Sequence, residues 1–245
     1  MTFPIAHFFG IDLAWSGKNL SGGCALNGAG NIVDERMLGS DDEIAGWISQ
    51  RLEGPAVVAI DAPLLVPNET GRRPCESAVA REYGSRKAGP HPANRSLLIG
   101  RDGKIRGEEL AARLGALGFG DPWAGSKRTL VEVYPHPTLI ETFGLEERLV
   151  YKAKTGVSVA DRRRGLRRLA GLLKQLEHAD PALRGPEVTV DETLRGAALK
   201  AVEDRLDARI CAWVASVFGS DPDRIRLFGD SKTGHIAIPA TVPSP

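Results

Sequence analysis

Two apolar runs, "HFFGIDLA" at 7–14 and "AVVAIDAPLL" at 56–65, are each interrupted by one carboxylate, Asp12 and Asp61. Such runs predict buried strands, and a carboxylate placed there loses its hydration unless something pairs it, hydrogen-bonds it or supplies a cation. Between them, "GGCALN" at 22–27 and "NIVDERML" at 31–38 flank the turn signal "GAGN" and predict an antiparallel meander. Ser40, followed three residues later by Glu43, forms a capping box before Ile44, Trp47, Ile48 and Leu52 at helical spacing. A helical crossover joins parallel neighbours, so the Asp61 strand is expected beside the Asp12 strand, with both carboxylates at the same end of the sheet and facing one crevice.

From 66 to 127 the periodicity gives way to Gly, Pro and basic residues, with short helices predicted at 75–84 and 107–118. A connection this long reads as a large insertion after the fourth strand, of the kind that forms lids or binding elements. Between Arg72 and Lys104 it holds eight Lys or Arg against three acids. Beyond it, "TLVEVYPHP" at 129–137 predicts a strand carrying Glu132 and stopped by Pro135. An amphipathic helix at 159–179 shows Leu166, Leu169, Leu173 and Leu176 on one face, with "DRRRGLRR" expected to be a solvated face. A long helix at 191–219 repeats Leu206, Ile210 and Val214 at fourfold spacing, and 225–240 predicts a hairpin before a fraying "TVPSP".

Composition narrows the class. With 245 residues, 42% hydrophobic and 26% charged, the chain suits one soluble domain. A net charge of +1 supplies no global attraction for nucleic acid, so any such case rests on local patches. Cys24, Cys75 and Cys211 lack a metal-ligand rhythm and read as reduced thiols of a cytoplasmic protein. No basic leader opens the sequence, and Asp12 breaks its first apolar run far short of a membrane span, so no membrane association is expected.

Asp204 and Asp207 stand three residues apart, hence on one face of the last long helix, with Glu203 a further step round. Brought to a crevice already holding Asp12 and Asp61, they gather up to four carboxylates. Such a group needs protons or hard cations to neutralise it, and oxygen-only ligands favour Mg²⁺ or Mn²⁺. "GIDLAW", "VVAIDAPL", "VEVYPHP" and "EDRLDARICAWVA", in this order, resemble a domain-of-unknown-function family of predicted nucleases with a ribonuclease-H-like fold.

The resemblance implies an α/β fold with a mixed sheet flanked by helices and a basic insertion, acting on nucleic acid or a nucleotide. Metal ligands would fall on Asp12, Asp61 and Asp207, with Asp12 bridging two cations. Asp204 would bind metal or orient water. Glu132 is either an active-site acid or the partner of an insertion arginine. Arg73, Arg81, Arg86 and Arg95 would grip substrate phosphates. Where the family carries a His-Pro-Glu-like segment this chain has "YPHP", so His136, like His91, reads as a loop residue. Trp15 reads as packing or as a stacking surface for a base.

Two rival functions share these features. A binding module of the same fold would keep the arginines and lack turnover. An actin-like or sugar-kinase phosphotransferase would use "GIDLAWSGKNLSGG" as a phosphate loop, although "AIDAPLLVP" lacks the glycines of a second nucleotide loop.

Overall fold

The computed structural model describes residues 6–240. Its elements in chain order are β1 (Ala6–Asp12), β2 (Ser21–Leu26), β3 (Ile32–Leu38), α1 (Asp41–Ser49), β4 (Leu52–Asp61), α2 (Pro74–Tyr83), α3 (Arg95–Leu98) and α4 (Arg106–Ala116). These are followed by β5 (Phe119–Gly120), β6 (Arg128–Glu132), α5 (Pro135–Phe143), α6 (Val159–Gln175), α7 (Gly196–Ser220), β7 (Ile225–Asp230) and β8 (Gly234–Pro239). Among the described residues, six strands form a mixed sheet in the order β3-β2-β1-β4-β6-β5. The meander β1–β2–β3 is antiparallel and β4 and β6 run parallel to β1. This α/β arrangement is consistent with a ribonuclease-H-like sheet.

Alternation along the strands divides the interior in two. Phe9 and Ile11 of β1, Val58 and Ile60 of β4 and Leu130 of β6 point to one face, where Ile44 and Trp47 of α1 and Leu110 and Leu114 of α4 cover them. Val57, Ala59 and Val131 point to the other, against α7, α6, α5, α2 and the β7–β8 hairpin. α7 lies across β1, β2 and β4 at very short range. A Cβ on Gly10 would stand 2.1 Å from Ala212 N and 2.2 Å from Ala208 O, and one on Gly22 would stand 2.2 Å from Asp204 O. Only glycine allows that approach.

Two expectations are revised. "YPHP" does not close a strand; β6 ends at Glu132 and Pro135 opens α5, since proline's missing N–H is harmless in a first helical turn. The segment 66–127 is no detached flap. Cys75, Val79 and Tyr83 of α2 join one core, and Leu110 and Leu114 of α4 join the other. Five of its eight basic residues from Arg72 to Lys104 are in ion pairs: Arg73, Arg86, Lys87, Arg95 and Lys104. Likewise, several arginines of "DRRRGLRR" are tied down, Arg162 to Glu203 at 3.0 Å and Arg163 to the Leu194 carbonyl at 2.8 Å.

Candidate metal centre

The parallel register of β1 and β4 places Asp12 directly opposite Asp61. Both belong to the alternation that faces α7, and α7 delivers Asp207 to them. One carboxylate oxygen from each of Asp12, Asp61 and Asp207 lies within 4.8 Å of the others, close enough to share one cation. Asp207 is fully buried, while Asp12 and Asp61 are half-buried at the crevice mouth. Tyr151, also fully buried, donates its hydroxyl to Asp207 Oδ1 at 2.7 Å. Asp207 Oδ2 is buried and has no hydrogen-bond partner.

Lys152 accompanies the cluster. Its Nζ lies 2.9 Å from Asp207 Oδ2 and 3.3 Å from Asp61 Oδ2. The contact with Asp207 is one of charge, without hydrogen-bond alignment. Burial raises the pKa of Asp12 well above the usual carboxylate range; Lys152 opposes this, and Asp207 and Asp61 add to it. Asp61 is raised by burial in the same way, again opposed by Lys152. Burial disfavours the Lys152 ammonium, but Asp207 and Asp61 overcome that cost and hold it charged. Among the described residues Lys152 is thus the one cation ion-paired within the cluster, while Lys200 acts on Asp12 and Asp61 by charge alone from its own pairing with Asp204.

Asp204 occupies the neighbouring position on α7, but its carboxylate is ion-paired with Lys200, which also reaches Glu203 at 3.2 Å. It is close to the centre without belonging to the oxygen cluster.

Glu132 is separated from the centre by the sheet itself. Its register partner on β4 is Ile60, so it points to the face opposite Asp61. There Arg73 binds it through both outer nitrogens, at 2.8 and 2.6 Å, and Leu64 N–H donates to it at 3.1 Å. Arg73 also holds Glu76 at 2.8 Å. Of the two placements expected for Glu132, the structure has it beside an insertion arginine and apart from Asp12, Asp61 and Asp207, and Arg73 is 1% exposed.

Arg86 is spent on the Leu145 and Glu146 carbonyls and on Glu141 at 3.4 Å; Arg95 is spent on the Val66 carbonyl and on Glu108, both at 3.2 Å. Of the four arginines expected to grip substrate, Arg81 alone is exposed without such a tie among the described residues.

Lys152 and Tyr151 were not singled out by sequence. They sit in "LVYKAKTG", which has no periodicity and no motif. The alternation of buried Leu149 and Tyr151 with exposed Val150 was the one signal available. His136 is a buried helical residue rather than part of a loop, with its ring edge-on to Tyr134 and Tyr151 at 5.6 and 5.5 Å. Among the described residues no helix is long and apolar enough to cross a membrane, and Cys24, Cys75 and Cys211 are buried free thiols.

Residues 10–233 match the model of a family described as "Protein of unknown function (DUF429)". No curated protein and no solved structure matches the chain.

Proposed function

The chain belongs to the DUF429 family, whose function is unknown, and from that premise and the acid cluster we propose that it is a metal-dependent nuclease using Mg²⁺ or Mn²⁺. The observation that carries this reading is the convergence of Asp12, Asp61 and Asp207 from two strand ends and one helix to within 4.8 Å. The donors fit a hard cation: all are carboxylate oxygens, and one of them, Asp207 Oδ2, is buried without a hydrogen bond. With all three ionised, the carboxylates set against Lys152 leave two negative charges, which one divalent ion cancels as it displaces the protons that burial favours on Asp12 and Asp61. A second ion, as in two-metal hydrolysis, would draw on Asp204 once Lys200 releases it.

Bound there, a divalent cation supplies Lewis-acid polarisation of a phosphoryl oxygen and a more acidic water. The chain's own groups do the rest. Tyr151 fixes Asp207 by taking one oxygen, so that the other is aimed at the cluster. Lys152 is placed to meet negative charge that builds on the phosphoryl group. Its ammonium also favours a second reading, in which Lys152 is the permanent counter-ion of a metal-free binding module.

Labelled single-stranded, duplex, hybrid and junction nucleic acids separate the two. Incubated with Mn²⁺ or Mg²⁺, the protein is expected to cut at least one of them, with no cutting in chelator or by Asp12→Asn. Failure to cut any of them with either metal would leave the binding module as the better account.

A further inference from the structure

We propose that the substrate of this centre is a single strand, gripped by Trp15 on one side of the acid cluster and by Arg148 and Lys154 on the other; this rests on the nuclease reading above. Trp15 follows Asp12 by three residues and is 73% exposed, which excludes the packing role. Its loop is nevertheless fixed. Arg106 Nη1 holds the carbonyls that flank it, Ala14 O at 2.7 Å and Ser16 O at 3.1 Å, and Arg106 is anchored in turn on Asp41 at 2.8 Å. A large aromatic ring held in water three residues beyond Asp12 gains nothing for folding, and it offers a face on which a base can stack. Bases in a duplex are already stacked on one another, so only an unpaired base can use it.

Across the sheet, the segment after α5 supplies charge. Arg148, Lys152 and Lys154 follow one another closely in sequence, and Lys152 touches Asp61 and Asp207. The segment is seated by buried Leu145, Leu149 and Tyr151 and by the bond from Arg148 N to Arg86 O at 2.9 Å. Among the described residues the side chains of Arg148 and Lys154 make no ion pair, in contrast to the paired arginines of 66–127. Beside them His136, 7% exposed, keeps Nδ1 buried with no partner. Burial and then Lys152, Arg148, Lys154 and His91 depress its pKa to about 3, so the ring is neutral and can still donate one N–H.

Trp15 stands past the end of β1, and Tyr134 and His136 stand past the end of β6. With β4 between them these ends are about 10 Å apart across the crevice, and the acids of β1 and β4 lie along that line. A strand stacked at one side and held by its phosphate at the other would cross the acid cluster.

Binding read by anisotropy in Ca²⁺, a hard cation that carboxylates also accept, tests this with a labelled single strand and its duplex. The single strand is expected to bind more tightly. Trp15→Ala should weaken it roughly 5- to 150-fold, the span of one stacked base, and Trp15→Tyr should restore most of the loss. The Arg148→Gln/Lys154→Gln pair should lower the slope of log affinity against log salt by about 1.4, two phosphate contacts on a single strand. Duplex binding as tight as single-strand binding, or Trp15→Ala and the double variant both behaving as wild type, overturns the inference. Should those variants bind normally while Mn²⁺-dependent cutting persists, the nuclease reading survives alone. Should the strand bind as described and nothing be cut in Mn²⁺, the grip stands and the nuclease reading falls.

Discussion

The two faces of the sheet each bury a group of acids, and they solve the same electrostatic problem in opposite ways. At the edge where Glu132, pointing to the α1–α4 face, meets the start of α2, Glu132 and Glu76 share Arg73, with backbone N–H groups of Leu64, Arg73 and Ala93 filling further lone pairs. Glu132 holds Arg73 in its charged form against the cost of burial. On the α7 face, Asp12, Asp61 and Asp207 share one lysine that is 32% exposed, and one buried oxygen lacks a hydrogen bond. A buried carboxylate is therefore a poor guide to chemistry by itself. What marks the second group is the shortage of partners, which an added cation can make good.

Breaking the satisfied network should have the largest effect. Arg73→Met strands Glu132 and Glu76 in the core, and about 3–5 kcal/mol of stability should be lost, read by urea unfolding. Mn²⁺ should not restore it. A small loss would mean that water reaches Glu132 and that the two faces differ less than their contacts imply.

A smaller shift is expected at the α7 face when metal is added. Wild type should gain about 2.7 kcal/mol at Mn²⁺ a hundredfold above its dissociation constant, seen as a raised melting temperature that chelator abolishes. Lys152→Met should melt lower than wild type in chelator, because the carboxylates lose their resident cation, and should gain more from Mn²⁺. Equal melting of both proteins with and without Mn²⁺ would make the α7 face as self-sufficient as the other.

The smallest effect is a divergence with pH. His235 accepts the Glu132 backbone N–H at 3.3 Å, and burial lowers its pKa to about 4. The unfolded ring, with a pKa near 6.5, takes a proton that the folded ring refuses, so this stability is present above about pH 6.5 and is lost as pH falls toward 4. Between pH 7 and 5 the loss should be on the order of 1–2 kcal/mol, and His235→Gln should flatten it. Asp12 and Asp61 lean the other way. Folded, they hold protons that the unfolded chain has released, so their contribution is full below the usual carboxylate range and fades as pH rises. Saturating Mn²⁺ should remove that second slope and leave the first.

Much of the layout is legible in the chain. The apolar runs, the capping box at Ser40 and the crossover they imply bring Asp12 beside Asp61, and three-residue spacing puts Asp204 and Asp207 on one helical face. The register between strands is not legible. Whether Glu132 pairs with Ile60 or with Asp61 decides which face it serves, and that one-residue choice depends on packing that no local pattern encodes. Nor can a sequence show which arginines are spent. Arg73 and Glu132 are 59 positions apart, and the charge excess of 66–127 dissolves once its partners fold against it. Lys152 escaped because a lysine in irregular chain looks the same whether it faces water or three carboxylates.

The bare backbone of Gly10 and Gly22 has a consequence for how this centre can fail. With no side chain at these two positions, the helix rests on β1 and β2 as on a machined seat, and its height sets how far Asp207 stands from Asp12. A single methyl at Gly10 would act as a shim. It carries no charge, touches no ligand and leaves all three carboxylates in the sequence, yet it lifts one of them away from the other two. The vulnerability of the centre thus lies partly in two residues that no inventory of chemical groups would count.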